Sequence, residues 1–130
     1  MSSSTGDADV FAQRLLSHPT ATEARAWLRR DDGVSRTLGE SDSPEQAIQF
    51  VDELYAAGAI CVTATEIDAY ETEMLEGVAR HENTGHLILE LPADSRARKQ
   101  LFRIQGKIAR ELGFDPTEDI GQRYLYCMLD

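Results

Sequence analysis

The last third of the chain combines an alternating apolar strand, a capped helix and a second strand, with few residues between them. Pro92 ends the first strand because proline lacks a backbone N–H group, and Asp94 or Ser95 is a typical helix N-cap. This order of elements predicts an α+β fold, in which strands pack against helices. The predicted spans are 86–91 for the first strand, 95–112 for the helix and 123–129 for the final strand.

The helix of this segment has an apolar face and a basic face. The helical spacing predicts one buried stripe of Ala97, Leu101, Ile104, Ile108 and Leu112. The basic face consists of Arg96, Lys99, Arg103, Lys107 and Arg110, with Arg98 beside it. This face is interpreted either as a solvated surface balanced by carboxylates such as Asp52, Glu53 and Glu111, or as a docking surface for an acidic partner segment or a phosphorylated ligand.

A second helix followed directly by a strand is predicted in the middle of the chain. Ser43 is the expected N-cap, Pro44 occupies the first helical position, and Gln46 completes the capping box. Gly58 ends the helix, and the β-branched residues after it predict a strand over residues 59–67.

Two short helices and a strand are predicted before this helix. The apolar spacing of residues 10–16 is helical, and Thr20 and Glu23 stand in capping-box relation ahead of a helix that extends through Arg30. Alternating residues over 34–38 then predict a short strand.

Residues 68–85 have no single interpretation. Residues 72–80 are compatible with two helical turns, but Gly77 and the density of carboxylates weaken that interpretation. A mobile acidic loop is the alternative.

The order strand, helix, strand, strand, helix, strand describes a ferredoxin-like βαββαβ two-layer sandwich. Its four-stranded sheet has the spatial order 4-1-3-2 and carries both helices on one face. A chain of 130 residues is long enough for one such domain and too short for two. The predicted organisation is a disordered tail at 1–9, then a single domain at 10–130 made of a helical extension at 10–33 and the core at 34–130.

The sheet face opposite the helices carries an unusual number of apolar side chains. Tyr124, Tyr126 and Met128 point to this face together with Ile88 of the neighbouring strand. Large exposed apolar patches are rare in monomers, so a cover is expected. The N-terminal helices, a partner protein or second copy, and a small-molecule pocket are the three alternatives.

The net charge of −10 arises from 23 acidic and 13 basic residues. This charge repels nucleic acid and anionic lipid, so neither is expected as a partner. It also allows an acidic neutraliser of a basic toxin or nuclease, with Glu71, Glu73, Glu76 and Glu82 in one patch. No apolar run is long enough to cross a bilayer and no signal peptide is recognisable at the start, so a cytoplasmic location is expected.

No catalytic, metal or cofactor motif is present in the sequence. Cys61 and Cys127 are predicted on opposite edges of the sheet, about 14 Å apart at about 4.8 Å per strand, which is too far for a disulfide. His81, Glu82 and His86 are a possible ligand or acid–base site, but their spacing matches no metal signature. We therefore predict no cofactor, no metal and no catalytic residue.

Two segments near the C-terminus resemble a small bacterial protein family without a known activity. These segments are Glu82-Asn83-Thr84-Gly85-His86-Leu87-Ile88-Leu89-Glu90-Leu91-Pro92 and Gly121-Gln122-Arg123-Tyr124-Leu125-Tyr126-Cys127-Met128-Leu129-Asp130. The resemblance covers at most the last ninety residues and implies a compact cytosolic domain with a ferredoxin-like core. It transfers no functional residue to this chain.

These observations favour a non-enzymatic binding or protein-interaction domain that self-associates, forming a homodimer through the apolar sheet face, or that binds a protein partner. A small-ligand-binding protein or small enzyme, with its site beneath residues 68–85, is the first alternative. The acidic neutraliser described above is the second.

Overall fold

A computed structural model describes residues 4–41 and 43–129, with side chains from residue 6 onward. The helices are α1 (Ser4–Leu16), α2 (Ala24–Leu28), α3 (Pro44–Ala56) and α4 (Ser95–Glu111). The strands are β1 (Thr22–Glu23), β2 (Val34–Leu38), β3 (Cys61–Thr65), β4 (Asp68–Met74), β5 (Gly77–Thr84), β6 (His86–Glu90) and β7 (Tyr124–Met128). The α+β class predicted from the sequence is confirmed.

The larger sheet is antiparallel and has the strand order β1-β3-β6-β7. One of its faces packs against α2, α3 and α4, because alternate residues of each strand are apolar and point to the same side. This core contains Trp27 and Leu28 of α2, Val51 and Leu54 of α3, Leu101 and Phe102 of α4, and Val62, Ala64, Leu87, Leu89, Leu125 and Cys127 of the sheet.

The opposite face of this sheet is covered by α1. Helix α1 contacts β3, β6 and β7, and the hydroxyl of Thr65 donates a hydrogen bond of 2.6 Å to the carbonyl of Leu15. Asp9 accepts hydrogen bonds from the backbone N–H groups of Arg123 and Tyr124. Of the two N-terminal helices, only α1 therefore lies on this face, because α2 packs with the core on the other side.

A second sheet, with the order β2-β5-β4, continues from the first. Strands β3 and β4 pair with β6 and β5 in one register, from Cys61 opposite Glu90 to Met74 opposite Gly77. These four strands form one long hairpin that is interrupted at Glu66 and Gly85. Glu66 has a φ of 52°, and a Cβ on Gly85 would lie 2.1 Å from the carbonyl oxygen of Leu129.

The predicted ferredoxin-like strand order of 4-1-3-2 is not observed. The first core strand, β2, pairs in parallel with β5, while the last strand, β7, pairs with β6. Both therefore lie along the same side of the long β5–β6 segment. They meet at its interruption, where Gly39 donates to the Thr84 carbonyl and Leu129 donates to the Gly85 carbonyl. The interruption makes room for two shorter strands where the predicted fold has one.

Residues 68–85 form strands, so neither the helical turns nor the loop predicted for this segment is observed. Most of the segment is a two-stranded ribbon of β4 and β5, joined by the turn residues Leu75 and Glu76. Backbone hydrogen bonds hold its strands to each other and to β2. Local helix or loop preferences do not report this long-range pairing, so the sequence pattern did not predict it.

Most helix boundaries follow the predicted caps. Ser43 accepts from the Gln46 N–H group and Asp94 from the Ala97 N–H group, as the sequence indicates. Glu23, rather than Thr20, caps α2, since its carboxylate accepts from the N–H groups of residues 25 and 26. Helix α1 already begins at Ser4, so residues 4–9 are helical rather than a disordered tail, and residues 1–3 lie outside the described part.

The buried face of α4 is rotated from the predicted stripe. Leu101 is buried, but Ile104 and Ile108 are only partly buried, and the remaining buried residues are Phe102, Gln105, Gly106 and Ala109. The connection between α4 and β7 accounts for this rotation, because it folds back along the helix. Thr117 donates its backbone N–H to the Gln105 side chain, and Pro116 lies against Gly106.

Candidate functional site

The β4–β5 ribbon projects from the molecule, and we call residues 68–84 the arm. All seven residues of β4 are exposed, and its outer edge has no strand partner within the described part of the chain. Side-chain contacts between its strands order the arm. The rings of Tyr70 and His81 stack with centroids 4.9 Å apart, and the Thr72 hydroxyl lies 2.9 Å from the His81 ring.

Apolar side chains are concentrated on the outer half of the arm. Nine large hydrophobic residues are exposed in the described structure, and four of them are Tyr70, Met74, Leu75 and Val78. Leu75 occupies the tip and is fully exposed. An exposed edge strand with apolar residues is a surface to which another chain can add, because its backbone groups and side chains lack protein partners.

The arm is also acidic, as is Glu66 two residues before it. Glu66, Asp68, Glu71, Glu73 and Glu76 carry five negative charges, and Arg80 is the one exposed cation among residues 66–80. None of these five carboxylates makes an ion pair with a lysine or arginine in the described structure. The strand edge therefore combines free backbone groups with an excess of negative charge.

The base of the arm is fixed by a buried guanidinium. Arg36 of β2 donates from Nε to Glu82 Oε1 at 2.8 Å, and Trp27 Nε1 donates to the same oxygen at 2.9 Å. The two terminal nitrogens of Arg36 bind both oxygens of Asp32, at 2.8 and 2.7 Å. Partial burial opposes ionisation of Glu82, but these hydrogen bonds and the Arg36 charge hold its pKa below the usual range. The Arg36 hydrogen bonds lower the pKa of Asp32 to about 2.

The structure does not bring His81, Glu82 and His86 together. His81 and Glu82 are adjacent in one strand, so their side chains point to opposite faces. His86 lies beyond Gly85, where its Nδ1 is 2.6 Å from the Tyr126 hydroxyl and 3.8 Å from Glu66. Each side chain is already engaged by a different neighbour.

Two open clefts lie beside the arm, one of about 360 Å³ and one of about 270 Å³. Both are lined by Ala69 and Glu82, the first with Trp27 and Arg30 and the second with Arg80. Glu82 Oε1 already accepts hydrogen bonds from Trp27 and Arg36, which weakens the acid–base role considered for Glu82.

The sheet-face residues lie beneath or beside α1. Ile88 is 1% exposed, and Tyr124, Tyr126 and Met128 are partly buried. The Phe11 ring meets the Tyr126 ring edge-on, at a centroid distance of 5.3 Å. The apolar face is therefore largely covered within the chain.

The basic face of α4 is exposed throughout. Arg96, Lys99, Arg103, Lys107 and Arg110 are all exposed, and none of them forms an ion pair within the described residues. Arg98 differs, because it binds Asp119 on the connection to β7. Asp52, a carboxylate expected to balance the basic face, pairs instead with Arg25 and Arg29.

Cys61 and Cys127 are free and lie on β3 and β7, with β6 between them. Strand β3 is not an edge of the sheet as predicted, because β1 pairs with it. Cys127 is buried, which raises the pKa of its thiol to about 12 and disfavours the reactive thiolate.

Comparison with known proteins assigns no relationship to this chain. No protein-family model matches the chain, and no match was found among curated proteins or solved structures. The resemblance to a bacterial family therefore stays an expectation. Among residues 4–41 and 43–129, no three histidine, cysteine or acidic side chains are grouped to hold a metal ion, and no helix there could span a membrane.

The arm is the candidate functional surface. The sequence analysis named its carboxylates as one alternative, an acidic patch of Glu71, Glu73, Glu76 and Glu82, but it did not predict the paired strands or the exposed apolar tip. Tyr70, Thr72 and Val78 favour strands, and Leu75-Glu76-Gly77 is a plausible hairpin turn, so a signal was present. The carboxylates around these residues obscured the strand signal, because β-strands usually contain few acidic residues.

Proposed function

We propose that this protein is a non-enzymatic interaction domain that self-associates through the arm. The observation that carries this proposal is an exposed acidic edge strand with an apolar tip, attached to a base that Arg36 fixes. The contact surface differs from the sheet face expected from the sequence, since α1 covers most of that face.

An arm without a partner leaves apolar side chains exposed. Met74, Leu75 and Val78 lie in water near the end of the arm, and burying each such side chain contributes about 1.5 to 3 kcal/mol. An edge strand also pairs readily with other chains unless it is protected. The carboxylates of β4 limit unspecific pairing, so they favour a partner with matching positive charge.

The geometry supports an enzyme less well. Catalysis by general acids and bases requires groups that converge on one reacting atom. His81, Glu82 and His86, the acid–base candidates from the sequence, point in different directions and bind different neighbours.

Self-association is tested by replacing apolar residues at the arm tip. Wild-type protein is expected to sediment as a dimer with a dissociation constant on the order of 10 µM. The variant Met74→Ser/Leu75→Ser is expected to be monomeric at ten times that concentration, with an unchanged unfolding temperature.

The matched control is Val10→Ser/Ile60→Ser, which removes two exposed apolar side chains away from the arm. It is expected to dimerise like the wild type. A wild-type monomer at about 100 µM would contradict the proposal. Equal loss of dimer in the arm variant and the control would contradict it as well.

A further inference from the structure

Two groups of charge without ion-pair partners have opposite signs and lie on different elements. The arm and Glu66 carry five carboxylates without a lysine or arginine partner, and the basic face of α4 carries five cations without a carboxylate partner, among the described residues. Charged surfaces of this kind steer association and select partners by complementarity.

We propose that the arm of one copy docks along the basic face of α4 in a second copy. This inference rests on the proposed function, and it names the surface that receives the arm. The exchange is reciprocal, so each copy contributes one arm and one helix. Reciprocal contacts of this kind close a two-fold dimer and leave no free end for further growth.

The dimensions of the two surfaces agree. Seven residues of β4 extend about 24 Å at about 3.4 Å per residue, and the seventeen residues of α4 extend about 25 Å at about 1.5 Å per residue. Glu71 and Glu73 are two residues apart on one face, about 6.8 Å. Arg103 and Lys107 are four residues apart on the helix, about 6 Å. A strand that lies along the helix can thus place Glu71 and Glu73 near Arg103 and Lys107.

An exposed aromatic ring lies just past the C-terminal end of α4. Phe114 follows the helix, and it also lines a cleft of about 210 Å³ together with Ala109, Leu112 and Met128, on the side of α4 that faces β7. The Phe114 ring is largely exposed. With the carboxylates beside the C-terminal half of α4, Leu75 at the arm tip lies nearest this ring, and contact between the two side chains would add apolar burial to the ionic contacts. Surface ion pairs alone contribute little, so this burial is needed for a stable dimer.

The salt dependence of dimerisation distinguishes docking on α4 from pairing between two β4 strands. Two acidic β4 strands pairing with each other would repel, and added salt would strengthen their association by screening. Docking of the arm on α4 is an attraction between opposite charges, so it weakens with salt. We expect the dissociation constant to rise about tenfold between 50 and 500 mM NaCl.

The decisive experiment is a charge exchange between the two surfaces. The arm-reversed variant is Glu73→Lys/Glu76→Lys, and the helix-reversed variant is Arg103→Glu/Lys107→Glu. Each variant alone is expected to be monomeric in analytical ultracentrifugation, because the two reversed side chains then face side chains of their own sign and the remaining attraction is weak. An equimolar mixture is expected to form a heterodimer, since both contacts are again between opposite charges.

The control for the helix is Arg103→Lys/Lys107→Arg, which keeps both positive charges and is expected to dimerise like the wild type. A helix-reversed variant that still dimerises alone, or a mixture that stays monomeric, would overturn the docking on α4. If Met74→Ser/Leu75→Ser prevents association while the helix-reversed variant does not, the arm is the interaction element but α4 is not its receptor. If no arm variant changes association, the proposed function itself fails.

Discussion

At the scale of single residues, Arg36 connects the arm to the core. Its side chain is 3% exposed although arginine is rarely buried without partners. Two carboxylates surround it, with Asp32 bound by two parallel hydrogen bonds and Glu82 by a third. Such paired contacts are stronger and more directional than a single ion pair, so they define the angle at which β5 leaves the core.

Removal of this guanidinium is expected to destabilise the protein. Arg36→Met leaves the Glu82 carboxylate in a partly buried site without its cation, with only the Trp27 N–H still donating to it. We expect this loss to cost about 2 to 3 kcal/mol, which is below the full cost for a buried pair because Asp32 and Glu82 retain solvent contact. The control Arg25→Met breaks the more exposed pair with Asp52 and should cost under about 1 kcal/mol. Urea denaturation measures both, and equal losses would argue against a special role for Arg36.

The same contacts predict a dependence of stability on pH. The pKa of Asp32 is about 2 in the folded protein, against an ordinary value of 3.8, and the pKa of Glu82 is lowered as well. A carboxyl with a lowered pKa stabilises the fold above its unfolded pKa and loses that contribution as pH falls through its folded pKa. The unfolding free energy should therefore decrease between about pH 5 and pH 2. Arg36→Met should flatten this slope, and an unchanged slope would show that other carboxyls are responsible.

At the scale of elements, the break at Gly85 divides one long hairpin into a core half and an arm half. Strands β2 and β7 end on either side of it, and the Leu129 backbone occupies the space that a side chain on residue 85 would need. The break also explains why the predicted fold was incomplete. The prediction assigned residues 86–91 to a strand but did not extend that strand back through residues 77–84.

Gly85→Ala is expected to destabilise the protein by about 2 kcal/mol or more, because the new Cβ collides with backbone rather than with a flexible side chain. Gly6→Ala is the control. Gly6 lies on α1 with open space around it, so alanine should be neutral or stabilising by up to about 1 kcal/mol. Thermal unfolding of the two variants tests this, and a neutral Gly85→Ala would show that β7 can move away.

At the scale of the whole molecule, negative charge is concentrated on the arm and positive charge on the exposed side of α4. The core lies between the α2–α3–α4 layer and the larger sheet, while the arm makes contacts mainly through β2 and its own two strands. The arm is therefore expected to open more easily than the rest of the fold.

Hydrogen exchange of the monomer tests this difference. Amides of residues 71–79 are expected to have opening free energies at least about 2 kcal/mol below those of residues 87–89, because the outer arm buries few side chains. Protection of the arm should rise with protein concentration if dimerisation orders it. Equal protection of both segments in dilute protein would mean that the arm opens only with the core.

Local signals in the sequence determined most of the secondary structure. The caps at Ser43 and Asp94, the stop at Gly58 and the apolar run Leu87–Leu89 each depend on neighbours within a few residues, so the elements they mark were predictable. The α+β class followed from their order.

Tertiary structure decided the strand order, the arm and the cover of the sheet. Pairing of β2 with β5 joins residues more than forty positions apart, and it depends on the space that Gly85 and the end of β7 leave free. The choice of α1 rather than α2 as the cover depends on contacts such as Thr65 with Leu15, fifty residues apart. Local patterns carry no information about such distant contacts, so the sequence by itself favoured the apolar sheet face and gave the arm only as an acidic patch of undefined structure.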